Sequence, residues 1–365
     1  MKRMLGAIGI AIFIGGLFIY FSVSPKLGGK NTDEKLVELQ KSVNYKNGKF
    51  QNRITTIMAA PKFSTMRKFF SNGENKVPEK PLSTKAFSKE EFENANSEAI
   101  SFSWFGHSSV LLKIENQVIL IDPVFGKRAS LFSFLGPKRF NYSIQYQVDQ
   151  LPKIDAVLIS HDHYDHLEYE TIIALKDQVN HFYVPLGVAI HLELWGVDSE
   201  KITELDWWEE VVFSEKIKLV FTPTRHFSGR SLAYRNQSLW GSWAIIGRNH
   251  KVFFSGDSGY FDEFKKVGER LGPFDLAFVE NGQYNVDWAS IHMMPEQSAK
   301  VGEELKAKAV VPIHWGKFSL SIHAWDEPVK RFLEASKELD YKALTPAPGE
   351  IMTAPFGDTS SWWEN

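Results

Sequence analysis

The sequence predicts a layered α/β domain behind an N-terminal transmembrane helix. Three observations point there. Residues 4–24 run for 21 positions without a charge. From about residue 100 the chain shows short apolar or alternating runs separated by turn-like pairs, and then strands that alternate with helical patterns. Several of those apolar runs end directly in polar, chemically capable side chains. Antiparallel runs followed by alternating strands and helices fit stacked layers of sheet and helix.

The first segment is long enough to cross about 30 Å of hydrocarbon as a helix. It is long for a cleaved signal peptide, and no A-x-A-like site follows it, so an uncleaved anchor is the preferred reading. The orientation cues conflict. Lys2 and Arg3 ahead of the span resemble the start of an exported anchor, whereas Lys26, Lys30, Lys35 and Lys41 behind it favour a cytoplasmic body. The exported arrangement, with the body on the extracytoplasmic face, is the one taken forward.

Residues 25–89 carry 14 Lys and Arg against five acids, a balance of +9, and residues 90–365 carry −13. A basic stretch between an anchor and an acidic body suits anionic lipid headgroups. It equally suits a solvated linker with one short helix near 34–43. The full chain of 365 residues has a net charge of −2, 43% hydrophobic and 24% charged residues, an ordinary globular make-up. Near-neutral charge argues against a nucleic-acid partner. The absence of Cys excludes disulfides, thiolate-ligated metals and a Cys nucleophile.

In the body, strands are expected at 100–105, 109–114, 117–121, 154–160, 182–184, 216–222, 242–246, 252–255, 276–279 and 309–313. Helical patterns fall at 169–177, 261–271, 295–305 and 327–339, with Pro295 at a first-turn position. Phe, Tyr and Trp make up 14% of the chain, so most must be core and a minority is left for an apolar surface.

Directly after the strand at 154–160 stands His161-Asp162-His163-Tyr164-Asp165-His166. Clustered imidazoles are hard to satisfy as core and are preferred ligands for divalent ions. In extended backbone His161 and His163 point to one side, while Asp165 and His166 follow in a turn and address a neighbouring position. One ion ordinarily takes about three protein ligands and an open position, so two ions need ligands from elsewhere. Other strands end in Thr224-Arg225-His226, Gly256-Asp257-Ser258-Gly259 and His314-Trp315-Gly316. A lone His after a strand is more often a satisfied loop residue. Four such segments, at strand ends that converge on one edge of a sheet, are specific.

The H-x-H-x-D-H motif with a later His, Asp and His resembles the metallo-β-lactamase superfamily. Trp104-Phe105-Gly106-His107, Ile121-Asp122-Pro123, Gly136-Pro137-Lys138-Arg139-Phe140, Val184-Pro185-Leu186-Gly187, Trp207-Trp208-Glu209-Glu210, Trp240-Gly241-Ser242-Trp243 and Ile313-His314-Trp315-Gly316 resemble its N-acylphosphatidylethanolamine-hydrolysing phospholipase D branch. The resemblance covers roughly residues 101–318. It implies a four-layer αβ/βα sandwich with a dinuclear zinc centre. His161, His163 and His226 would hold the first ion and Asp165, His166 and His314 the second, with Asp257 between them. The ligand types also suit iron or manganese. The resemblance further implies Asp122 as an acid behind the ligands, with His107 a weaker candidate of the same kind, His292 near the metals as an oxyanion or leaving-group contact, and a homodimer. The segment Val279-Glu280-Asn281-Gly282-Gln283-Tyr284 departs from the branch. Its Glu280, Gln283 and Tyr284 are expected to line the substrate entrance.

The expected activity is a zinc-dependent, membrane-associated phosphodiesterase acting on N-acylphosphatidylethanolamine-like phospholipids through a hydroxide held between the metals, with Asp165 and His292 as catalytic groups. Rival readings are hydrolysis of another ester, lactone or phosphodiester, and an iron-binding oxidoreductase or sensor. The expected organisation is an anchor at 1–24, a basic extension at 25–97, a hydrolase domain at 98–355 and a tail at 356–365.

Overall fold

The computed structural model describes residues 23–57, 62–70 and 75–364. The expected anchor lies outside these residues apart from Val23 and Ser24. Among the described residues no helix is long and apolar enough to cross a membrane.

A small hairpin, β1 (Tyr45–Lys46) with β2 (Lys49–Phe50), precedes the two main sheets. The first main sheet holds β3 (Ser101–Trp104), β4 (Val110–Ile114), β5 (Gln117–Ile121), β6 (Ile154–Leu158), β7 (Val179–Pro185) and β8 (Ile202–Leu205). The second holds β9 (Glu210–Ser214), β10 (Ile217–Pro223), β11 (Gly241–Gly247), β12 (Lys251–Phe254), β13 (Leu276–Glu280), β14 (Ala309–Ile313) and β15 (Lys342–Ala343). The last strand, β16 (Ile351–Thr353), returns to pair with β3. The orders are β16-β3-β4-β5-β6-β7-β8 and β15-β14-β13-β12-β11-β10-β9. In each sheet one half is an antiparallel meander and the other is parallel.

Period-two alternation explains why the strands read as unbroken apolar runs. In the second sheet Leu219, Phe221, Trp243, Ile245, Val252, Phe254, Leu276 and Phe278 face the first sheet. The intervening Val220, Ala244, Phe253, Ala277 and Val310 face a separate core. That second core is closed by α6 (Glu263–Arg270), α7 (Pro295–Glu304) and α8 (Glu327–Ser336). Strands covered on both faces carry no polar alternation. Phe102 and Phe278 meet edge to face across the sheets at 5.1 Å. Each such fully buried ring contributes about 1.5–3 kcal/mol. Helices α4 (Tyr169–Leu175) and α5 (Ala189–Leu194) pack their buried Ile172, Leu175 and Leu192 into the first core. The order is helix, sheet, sheet, helix, the expected four-layer sandwich.

The sheets are tied at one edge by an exchange of backbone bonds, from His107 N to Trp315 O and from His314 N to His107 O, both 2.8 Å. Trp104, Trp315 and Trp362 stack behind that tie at 5.3–6.1 Å, and Trp363 packs edge-on against Trp315. The expected tail therefore returns two rings to the core. The basic extension is likewise applied to the body. It contributes α1 (Asp33–Leu39), α2 (Phe63–Phe70) and α3 (Lys89–Asn94), and Ser42 and Asn44 bond Asp206.

Lys317 lies 2% exposed beneath this edge and donates to the carbonyls of Phe105 and Val124. Burial, with Arg139 nearby, pushes its pKa down from 10.5 to about 7. Between those values the unfolded chain holds a proton that the folded chain lacks, so stability rises with pH across that window. The penalty is fully present below pH 7 and is relieved above it. The stability difference between wild type and Lys317→Met should therefore shift in favour of wild type by about 1.4 kcal/mol per pH unit. Urea unfolding of both proteins from pH 7 to 9 measures it, and a flat difference would show that Lys317 stays protonated.

Candidate metal centre

Chemically capable side chains gather at the edge where β5, β6, β10, β12 and β14 end. β6 ends at Leu158, and Gly241 N bonds Ser160 O at 3.0 Å, pinning the turn that carries His161 to His166. His226 follows β10, Asp257 follows β12 and His314 follows β14. Gly256 makes the approach of Asp257 possible. Its φ is +57°, and a Cβ there would fall 2.5 Å from Gly241 O and 2.9 Å from Ser160 Cβ. His107, Asp122 and His314 hold φ values of 56°, 42° and 68°. Such left-handed backbone at non-glycine residues is uncommon and concentrates at functional sites.

On one side of the cleft His161 Nε2 lies 2.8 Å and His226 Nε2 3.3 Å from His163 Nδ1. His226 donates Nδ1–H to Ile291 O at 2.9 Å, which leaves Nε2 as a lone pair. On the other side His166 Nε2 and His314 Nε2 lie 3.5 and 3.3 Å from Asp165 Oδ2. Asp257 Oδ2 stands between the two halves, 3.2 Å from His166 and His314 and 3.8 Å from His161 and His226. All seven residues expected to act together are thus brought together.

Burial, reinforced by His166 and His163, holds the His161 imidazole well below its ordinary pKa; burial does the same at His226, helped by His292 and His163. Burial also opposes protonation of His314, but Asp257, Asp165 and Glu280 overcome it and push its pKa up to about 10. Burial would raise the pKa of Asp257, yet His166 and His314 hold it well below the carboxylate range. One half is therefore neutral imidazole, and the other pairs carboxylates with imidazolium.

The donor set fits a divalent cation. His166 Nε2 and Asp257 Oδ1 are buried without a hydrogen-bond partner among the described residues. An orphaned buried group costs about 1–3 kcal/mol, and both point into the cleft where a cation would satisfy them. The groups His161/His163/His226, His161/His166/Asp257 and His107/Asp165/His166/His314 each bring their ligand atoms within 4.8 Å of one another.

The profile of the beta-lactamase superfamily domain matches residues 117–315. The chain belongs to the metallo-β-lactamase superfamily. It is 36% identical over 269 residues to N-acyl-phosphatidylethanolamine-hydrolyzing phospholipase D 1 of Caenorhabditis elegans, covering 69% of this chain and 75% of that one. It is 43% identical over 270 residues, 72% of each chain, to an uncharacterized protein of Mycobacterium tuberculosis. A metallo hydrolase of Ignicoccus hospitalis shares the fold with a TM-score of 0.54 at 20% identity, over 71% of this chain and 100% of that one. These relationships and the donor set make this superfamily member a metal-dependent hydrolase.

The remaining expected residues fall in two groups. Asp122 is fully buried and accepts from His166 Nδ1 at 2.7 Å, Ser160 N at 2.7 Å and Ser160 Oγ at 2.5 Å. It fixes the tautomer of His166, as a carboxylate behind a metal-binding imidazole does. His107 lies 2.8 Å from Asp165 Oδ2 and 4.2 Å from the ring of His314. Burial and His314 push its pKa down to about 3, so the neutral ring donates Nε2–H to Asp165. His292 sits against one histidine of each half, 5.0 Å from His226 and 5.3 Å from His314.

Glu280, Gln283 and Tyr284, expected at the substrate entrance, are buried and bonded within the fold. Glu280 is fully buried, accepts Ser258 N at 2.7 Å and bonds His292 Nδ1. Gln283 donates to His314 O and Phe318 O, and Tyr284 donates to Glu327. Polar side chains that read as surface are here internal struts. Asn52 was not a candidate at all, and its side chain bonds the backbone of His226. A single polar residue 174 positions away carries no sequence signal of such a contact.

Proposed function

We propose that this chain is a dinuclear zinc phosphodiesterase of phospholipase D type, acting on N-acylphosphatidylethanolamine-like lipids at a membrane surface. The observation that carries it is the pairing of two imidazole clusters around Asp257, joined to 36% identity over 269 residues with a phospholipase D of that specificity. His161, His163 and His226 would hold one ion and Asp165, His166 and His314 the other, with Asp257 serving both. Bound divalent ions acidify water and neutralise phosphoryl charge.

The chain's own groups then handle the protons. In the reaction a water oxygen bonds to phosphorus, and the bond from phosphorus to the ethanolamine oxygen breaks. Asp165, partly exposed and braced by His107, orients the water and takes its proton. His292, held through Nδ1 by Glu280, presents Nε2 to the departing oxygen and supplies a proton. The products are phosphatidic acid and an N-acylethanolamine.

Membrane association is supported by exposed apolar side chains on the same side. Ile57 and Phe63 are 73% and 83% exposed, and Val286 is 76% exposed. Ser290 bonds Ile57 O, and Thr65 bonds Asp287, so the extension that carries Ile57 and Phe63 lies against the segment 286–290 that leads to His292. Lys62 and Arg67 on or beside α2 add positive charge.

The test is turnover of N-acylphosphatidylethanolamine vesicles by zinc-loaded protein, with phosphatidylcholine vesicles as comparison. Release of N-acylethanolamine should exceed that of choline at least tenfold, disappear on chelation and return with two zinc equivalents. Turnover that survives complete metal removal, or products cut at an acyl ester, would refute the reading.

A further inference from the structure

Residues ahead of the superfamily region touch the metal edge at successive points. Gly29 N bonds His191 Nδ1 at 3.0 Å, and Ser238, Gly229 N and His191 all converge on Asp162, between two of the clustered imidazoles. Further on, Arg225 bonds Thr55 O and Thr56 Oγ1, each at 3.1 Å. Between them lies Asn52. Its Nδ2 donates to His226 O at 2.8 Å, and its Oδ1 accepts His226 N at 3.1 Å and Trp240 Nε1 at 3.2 Å.

The carboxamide thus treats His226 as a neighbouring strand would, matching its N–H and C=O together. His226 lies past the end of β10 in irregular backbone and is 1% exposed. Among the described residues no other hydrogen bond reaches its backbone. A buried peptide without partners is costly, so its position follows whatever satisfies it. The ring is fixed separately, by Ile291 O on Nδ1. His226 is therefore held from two sides, and Asn52 supplies the backbone side.

We propose that Asn52 is a positioning residue of the metal centre: through it the N-terminal extension sets the place of His226, and with it the affinity of the His161/His163/His226 site. The inference rests on the two-ion reading above. It makes the extension part of the centre. It also predicts an asymmetry, because the Asp165/His166/His314 side has no contact with Asn52.

Metal-free, full-length wild type and Asn52→Ala are titrated with zinc against a chromophoric chelator, and folding is checked by thermal melting. Wild type should take up two ions. Asn52→Ala should lose about 10–100-fold in affinity for one ion, the range for groups that orient ligands, and keep the other. Asn52→Asp retains the acceptor for His226 N and Trp240 but loses the donor to His226 O. Its second carboxylate oxygen faces the His226 carbonyl, acceptor against acceptor, so it should weaken the same ion at least as much as alanine does, and it carries the test if the alanine variant fails to fold. Asn44→Ala, on the same extension but bonded to Asp206, should leave both affinities unchanged. Two unaltered affinities in both Asn52 variants, or equal weakening of both ions, would overturn the proposal. A wild type that binds fewer than two ions would overturn the two-ion reading and the proposal with it.

Discussion

Asp257→Ala should reduce hydrolysis to background, a loss of about a thousandfold or more, while leaving the folded domain intact. Among the described residues no other carboxylate is placed this close to both halves of the centre: its Oδ2 lies 3.2 Å from His166 and His314 and 3.8 Å from His161 and His226. Its Oδ1 is buried and unpartnered among the described residues. On the two-ion reading proposed above, removing it takes one ligand from each ion at once. It also removes one of the three charges, with Asp165 and Glu280, that raise the pKa of His314 in the metal-free state. Groups that act as a unit fail together, so the loss should approach that of removing His163 and His314 in combination. The fold does not depend on this side chain, because the sheets are also tied by the backbone exchange of His107 with His314 and Trp315. The measurement is kcat/KM at saturating zinc, with bound metal counted and melting temperature recorded. A variant that binds two ions and works within tenfold of wild type would place the chemistry elsewhere.

The clustered His and Asp side chains were legible because each segment that carries them follows a strand buried on both faces. Leu219 to Phe221, Val252 to Phe254 and Val310 to Ile313 are unbroken apolar runs, so the polar turns beyond them, which carry His226, Asp257 and His314, are conspicuous. Strands β8 and β9 escaped notice. Ile202–Leu205 and Glu210–Ser214 lie at the sheet edges, are half exposed, and mix acids with apolar residues. The short β16 and the return of Trp362 depend on tertiary pairing with β3 and the tryptophan stack, which no local period encodes. Glu280 and Gln283 misled for a related reason. A polar run reads as surface when its partners, His292 and the carbonyls of His314 and Phe318, lie 12 to 35 positions away. The motif thus marks which side chains gather at this edge, and long-range contacts decide how rigidly they are held.

Substitution of Asp122 should separate those two roles. The carboxylate is a pure acceptor: Oδ1 takes Ser160 N–H, and Oδ2 takes Ser160 Oγ–H and His166 Nδ1–H. Asp122→Asn preserves the shape but introduces two donors. With the amide nitrogen towards His166, that imidazole must move its proton to Nε2 to accept at Nδ1, and Nε2 is then no longer a lone pair for the metal. With the amide flipped, two donors meet at Ser160 N. Asp122→Ala removes the clash and leaves His166 free to choose its tautomer, at the cost of orphaned buried groups. The asparagine variant should therefore bind the ion on the Asp165/His166/His314 side more weakly than the alanine variant, although it should be the more stable of the two in the metal-free state. Both should lose about 10–100-fold in affinity for that ion and at least as much in kcat/KM, and the ion on the His161/His163/His226 side should be less affected. Zinc competition titrations with urea unfolding of the metal-free proteins decide it. If stability and metal affinity fall in the same order, Asp122 acts only as a packing group and its control over the His166 proton is excluded.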